Sequence, residues 1–201
     1  FPYTTLFRSG YPMPAVGLGV YKIADEQMEE VVRTALDAGY RAFDTAYFYG
    51  NEKALGSALK HSNVERDELF ITSKLWNDYQ GYDQTIEYFN KSLDNLGLDY
   101  LDLFLIHWPC ENDQLYIESY KALEHLYEEG KIKAIGVCNF KIHHLEKLMK
   151  ETKITPQVNQ IELHPYFNQQ DVQDFCDEHD IKVTASMPLM RNKGLLDDPV
   201  I

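Results

Sequence analysis

Seven short apolar runs recur along this chain with amphipathic segments between them, at a spacing of roughly 24 to 32 residues, the size of a βα unit. They occupy residues 15–21, 40–46, 69–76, 100–108, 133–140, 157–164 and 182–189. Each is bounded by turn residues and is apolar almost throughout, as expected of parallel strands covered on both faces. Between them, Met28, Val31, Val32, Ala35 and Leu36 lead to Gly39, and Ile86, Phe89, Leu93 and Leu96 lead to Gly97. Ile117, Tyr120, Leu123 and Tyr127 lead to Gly130, and Ile142, Leu145, Leu148 and Met149 precede Pro156. This spacing, with a glycine closing most segments, predicts helices with C-caps.

Consecutive βα units without a long insertion predict an α/β fold of the (β/α)8 TIM-barrel type over a doubly wound sheet, and such a barrel usually takes about 250 residues. The chain has 201 and stops just past its seventh run. It therefore reads as a fragment truncated at its C-terminus, an incomplete barrel of about seven of the eight units forming one domain over residues 10–201. A barrel missing a stave leaves two unpaired strand edges. Residues 1–9, FPYTTLFRS, carry no initiator Met and differ abruptly in texture from the segment GYPMPAVGLGVYK that begins at Gly10. They read as a non-native leader, outside the fold.

The formal net charge of −13 argues against nucleic acid and against an anionic membrane surface, both of which need a basic footprint. Cys110, Cys138 and Cys176 form no CxxC pair, so neither a disulfide framework nor a zinc knuckle is expected, and a reducing, cytoplasmic setting fits. No apolar stretch approaches the ~20 residues of a membrane helix. GLG at 17–19 lacks a third glycine, GxxxxGK[ST], GxSxG and HExxH are missing, and His143 and His144 are adjacent, which is the wrong spacing for a metal. No metal site is expected.

Four polar residues stand out against this background. Asp44, Lys74 and His107 end the runs YRAFD, LFITSK and LDLFLIH, and Tyr49 comes five residues after the first of these ends. In parallel α/β folds the C-terminal strand ends are where chemistry is done. Taken singly, Asp44 could be a helix cap, Tyr49 a packing aromatic and His107 a core histidine. Three successive strands placing an ionisable group at one rim is harder to attribute to chance. Together they make a general acid from a phenol: Lys74 lowers the tyrosine pKa from about 10, Asp44 holds Lys74, and a neutral His107 orients a carbonyl oxygen. Such a site suits protonation of a developing alkoxide.

The segments YRAFDTAYFYGNE, ITSKLW, LFLIHWP, IGVCNF and VNQIELHPY resemble the aldo-keto reductase superfamily over residues 10–190, and among bacterial members the reductases of small dicarbonyls and diketogluconate. The resemblance implies a barrel binding an extended nicotinamide cofactor, NADPH with NADH possible, without a Rossmann motif. It implies reduction of aldehydes and ketones to alcohols, with Tyr49 as proton donor, Asp44 and Lys74 tuning it and His107 positioning the small-molecule carbonyl substrate. It assigns Asp44, Cys138, Asn139, Gln160, Ser186 and Leu189 to the cofactor, and Tyr21, Trp76, His107 and Trp108 to the substrate pocket. Asn139 and Gln160 could instead be inward polar residues bonded to one another, and the two Trp plain packing. Two positions depart from the family pattern: Cys138 stands where Ser is usual, a weaker hydrogen-bond partner, and Ser186 where an aromatic commonly stacks on the nicotinamide. The full-length protein is expected to be a monomer, and this chain alone to bind cofactor poorly, since by resemblance the adenosine 2′-phosphate pocket lies beyond it. The alternative is a cofactor-binding regulatory or structural member of the same fold, against which the intact tetrad speaks.

Overall fold

The computed structural model describes residues 4–200. The described chain opens with an antiparallel hairpin, β1 (Thr4–Leu6) on β2 (Pro12–Pro14). Seven strands come after it: β3 (Leu18–Gly19), β4 (Ala42–Asp44), β5 (Phe70–Leu75), β6 (Leu101–Ile106), β7 (Ile132–Cys138), β8 (Val158–Glu162) and β9 (Lys182–Ser186). Each pairs in parallel with the next, in chain order, so every apolar run becomes a strand of one sheet. The first run shrinks most, to two residues.

Helices cover the sheet: α1 (Asp25–Asp37), α2 (Glu52–Lys60), α3 (Tyr82–Leu96), α4 (Asp113–Glu128), α5 (Ile142–Glu151) and α6 (Gln170–Glu178). Four were expected. The other two, α2 and α6, have nine residues each, and α6 buries only Val172 and Cys176. In α6 that is too few apolar positions for a 3.6-residue period to stand out, and α2 is too short a run to show one clearly.

The sheet curls. Gln160 Nε2 on β8 donates to Asp44 Oδ2 on β4 at 2.9 Å, although four strand spacings of about 4.8 Å would separate these strands by about 19 Å in a flat sheet. The curl encloses Ala42, Phe70, Leu103, Leu105, Ala134, Cys138 and Val158 as an inner core. Phe43, Ile71, Phe104, Ile106, Ile135, Val137 and Ile161 face outward against the helices. Among the described residues β3 and β9 are the sheet's edges, and this is an incomplete (β/α)8 barrel. Among the described residues no helix is long and apolar enough to cross a membrane.

Residues 4–9, set aside on sequence, pack against this barrel. Phe7 is buried in the inner core beside Tyr11 and Met13, its ring 6.5 Å from that of Phe70. Arg8 reaches the carbonyl of His179 at 2.6 Å. Beneath the same end lies Asp102, fully buried, which accepts from Tyr11, from Arg66 at 2.7 Å and from the Ile71 amide at 2.8 Å. The acidic residue within β6 is thus matched at the barrel end away from Lys74.

Gly56 lets α2 lie against the end of α3, where an added Cβ would sit 2.2 Å from the Leu96 carbonyl oxygen. A helical Gly→Ala change ordinarily gains up to about 1 kcal/mol. Here the overlap with backbone reverses the sign, and Gly56→Ala should lower the unfolding free energy by about 1–2 kcal/mol. A urea midpoint equal to or above the parent's would show that α2 does not sit so close.

Candidate active site

Alternation along the strands decides what reaches the barrel mouth. On β5, Ile71 and Leu75 belong to the outer layer and Phe70 to the inner core, so Lys74, in phase with Phe70, points inward. The same parity turns Asp44 inward with Ala42, His107 with Leu103 and Leu105, and Gln160 with Val158. Four strands therefore deliver polar side chains to one place.

Lys74 is 0% exposed. Its ammonium binds the Asp44 carboxylate and donates to the Thr45 carbonyl at 2.9 Å. The other Asp44 oxygen is held by Gln160. Burial alone would lower the Lys74 pKa, but Asp44 and the adjacent phenol and thiol reverse this and hold it above the ordinary lysine value. It stays charged. Its nitrogen lies 5.3 Å from the centre of the Tyr49 ring.

Tyr49 arrives from a loop. A 3₁₀ turn, Tyr47–Tyr49, comes after β4 and is closed by Gly50 in a left-handed conformation at φ 72°. The phenol packs against Tyr21, 4.7 Å between ring centres, and edge-on against His107 at 5.7 Å. Its pKa is raised, chiefly by burial and further by Asp44, while Lys74 pulls it back. This corrects the expectation of a phenol acidified below its usual value. The lysine moderates a rise that burial imposes, because desolvation of the phenolate outweighs the attraction of one ammonium.

His107 has little exposed surface, and its Nδ1 has no hydrogen-bond partner among the described residues. Burial, then the charge of Lys74, push its pKa down to about 3. A buried ring nitrogen without an acceptor is better left unprotonated, which puts the single proton of the neutral ring on Nε2. Trp76 stands edge-on to His107 at 5.3 Å and stacks with Phe48 at 3.8 Å.

Asn139, at φ 62°, comes just after β7 in the left-handed region, its side chain donating to the His107 carbonyl at 2.9 Å and its backbone N–H to the Gln160 carbonyl. The side chains of Asn139 and Gln160 thus have separate partners. Among the described residues Gln160 Oε1 has only the Cys138 thiol, at 4.0 Å; burial raises that thiol's pKa and keeps it neutral. The structure so gathers Asp44, Tyr49, Lys74, His107, Cys138, Asn139 and Gln160, with Tyr21 and Trp76 against them. Trp108 and Leu189 are exposed at the rim, and Ser186 ends β9, paired with Glu162. Three residues of this neighbourhood were not singled out on sequence: Phe48, Thr45 and Asn51. All three lie within the quoted segment YRAFDTAYFYGNE, but only the turn of the chain shows which way each points.

Comparison with known proteins bears on the chain as a whole. The family described as "Aldo/keto reductase family" matches residues 15–199. A glyoxal reductase of Bacillus subtilis is 48% identical over 98% of this chain and 71% of its own length. A methylglyoxal reductase of Escherichia coli O157:H7 is 45% identical over all of this chain and 72% of its own. Among solved structures, an aldo/keto reductase from Brucella melitensis superposes with a TM-score of 0.93 at 46% identity, covering 98% of this chain and 75% of that one. A Gox0644 variant in complex with NADPH superposes with a TM-score of 0.91 at 41% identity, over 98% and 71%.

The depressed His107 pKa has a sign that can be checked. An unfolded histidine titrates near 6.5 and the folded one at about 3, so between those values the unfolded chain binds the extra proton and stability falls as pH drops. NMR should show the His107 imidazole signals unchanged from about pH 8 to about pH 5, and His107→Asn should flatten the stability loss in that window. A His107 titration near pH 6.5 would contradict the burial argument.

Proposed function

The chain belongs to the aldo/keto reductase family, and from that premise we propose that it reduces small aldehydes and ketones, dicarbonyls such as methylglyoxal foremost, with NADPH as cofactor and Tyr49 as the proton donor. The observation that carries the assignment of the acid is the fully buried, charged Lys74, held by Asp44 beside the Tyr49 phenol. The names of the relatives support the substrate class. NADPH bound to Gox0644, and NADP bound to a reductase of Bombyx mori that is 32% identical, support the cofactor.

The residues at the mouth fit the nicotinamide end of such a cofactor. Gln160 keeps acceptor capacity at Oε1, since a thiol at 4.0 Å is a weak partner, and Asn139 and Gln160 together present amide donors and acceptors of the kind a carboxamide needs. When bound, the cofactor supplies the hydride. The chain's own residues do the rest. His107, neutral with its proton on Nε2, donates to the substrate carbonyl oxygen and fixes its direction. Tyr49, kept protonated by its raised pKa, hands its proton to that oxygen as negative charge develops. Lys74 stabilises the phenolate left behind, and Asp44 with the Thr45 carbonyl keeps the ammonium in place. Tyr21, Phe48, Trp76 and Trp108 give the entrance an apolar, aromatic wall that limits water beside the reacting oxygen.

Tyr49→Phe keeps the ring contacts and deletes the proton. It should lower kcat for methylglyoxal reduction by about 10²–10⁴-fold while NADPH binding, followed by fluorescence quenching, stays at the parental value. Equal turnover of variant and parent would sink the assignment. Because the acid must be protonated and its pKa is raised, parental kcat should show no tyrosine-linked decline below about pH 10; a decline well below that pH would point to another donor.

A further inference from the structure

We propose that Asn51 is a positioning residue for this reaction, its side-chain amide closing the loop that carries Tyr49 and coupling that loop to Lys74. The inference rests on the reading of Tyr49 as the acid. Lys74 and Asp44 sit on strands whose ladder bonds fix them. Tyr49 does not: it lies beyond β4 in a loop, where its backbone has a turn bond to Ala46 at 2.9 Å. What holds the loop is at its two ends. Thr45, fully buried, donates from its hydroxyl to Asn51 Oδ1 at 2.8 Å, and Asn51 Nδ2 donates to the Val20 carbonyl at 2.8 Å. Asn51 is 3% exposed, so both bonds form out of water, where a lost partner leaves an unmatched polar group.

Each partner of Asn51 leads to the candidate site. The Thr45 carbonyl is the second acceptor of the Lys74 ammonium, and the Thr45 N–H donates to Thr72 on β5 at 2.9 Å. Val20 donates its own N–H to the Asp44 carbonyl at 2.9 Å, and the next residue, Tyr21, lays its ring against Tyr49. One amide therefore sets where the loop starts, where it ends and where the aromatic beside it lies. The position calls for a side chain that accepts and donates at once. Asp offers only acceptors when ionised, and an apolar residue offers neither.

Thr45→Val, Thr45→Ser and Asn51→Ala test this with the whole chain, NADPH and methylglyoxal. Thr45→Val and Asn51→Ala should lower kcat by about 10- to 100-fold, the scale of loss from a misplaced catalytic group, with the methylglyoxal KM and the NADPH Kd within about twofold of the parent. Thr45→Ser, which restores the hydroxyl, should return kcat to near the parental value. If Asn51→Ala does not fold, Thr45→Val, which exchanges one hydroxyl for a methyl group, carries the test. Parental kcat in folded Thr45→Val, a loss seen in KM alone, or Thr45→Ser as impaired as Thr45→Val would overturn the proposal. In each of those cases the Tyr49→Phe result still stands by itself. A parent that turns over while Tyr49→Phe turns over equally would instead remove the reading of the acid, and this inference with it.

Discussion

A lysine with no exposed surface is the constraint around which the rest of the site is arranged. Withdrawing an ammonium from water costs several kcal/mol after relaxation unless an opposite charge and further acceptors accompany it. Lys74 has Asp44 and the Thr45 carbonyl, and Asp44 in turn has Gln160 from across the barrel. Removing any of them leaves a buried charge short of a partner. The pair gives little evidence of net stability, since an apolar pair of the same volume often does as well. What it fixes is a positive charge at one point next to a phenol.

That charge acts on two neighbours in different ways. On Tyr49 it opposes the rise that burial causes, and the phenol remains protonated beside a cation. On His107 it adds to burial, and both drive the imidazole to neutrality. One ammonium thus keeps one neighbour from becoming too weak an acid and the other from becoming a cation. Aromatic rings surround the pair: Tyr21 and His107 flank the phenol, and Trp76, stacked on Phe48, stands edge-on to His107.

The barrel makes the arrangement possible because parity and curl act together. Alternation sends Asp44, Lys74, His107 and Gln160 inward from β4, from β5, from the end of β6 and from β8. The curl then brings strands that are distant in sheet order within hydrogen-bond reach, as Asp44 and Gln160 show. The hairpin β1–β2 and Phe7 fill the opposite end, where Tyr11 and Arg66 match the buried Asp102. Each end of the barrel thus holds its own matched polar group, Asp102 below and Lys74 with Asp44 at the mouth.

Strand order, the inward tetrad and the incomplete barrel were legible in the chain itself, because apolar runs at βα spacing admit few folds and an ionisable residue ending such a run has one rim to occupy. Short α2 and α6 were not: α6 buries only Val172 and Cys176, and α2, though it buries Leu55, Ala58 and Leu59, is only nine residues long. Nor was the packing of residues 4–9, whose composition says nothing of the barrel end they meet. The direction of the Tyr49 pKa depends on how much water the surrounding rings remove, and the separate partners of Asn139 and Gln160 depend on the left-handed backbone at Asn139. Sequence determined which groups could meet, since periodicity and residue chemistry are local. Only the tertiary structure decided how deeply they are buried and which bonds they make, since desolvation and hydrogen-bond geometry depend on distances between residues far apart in the chain.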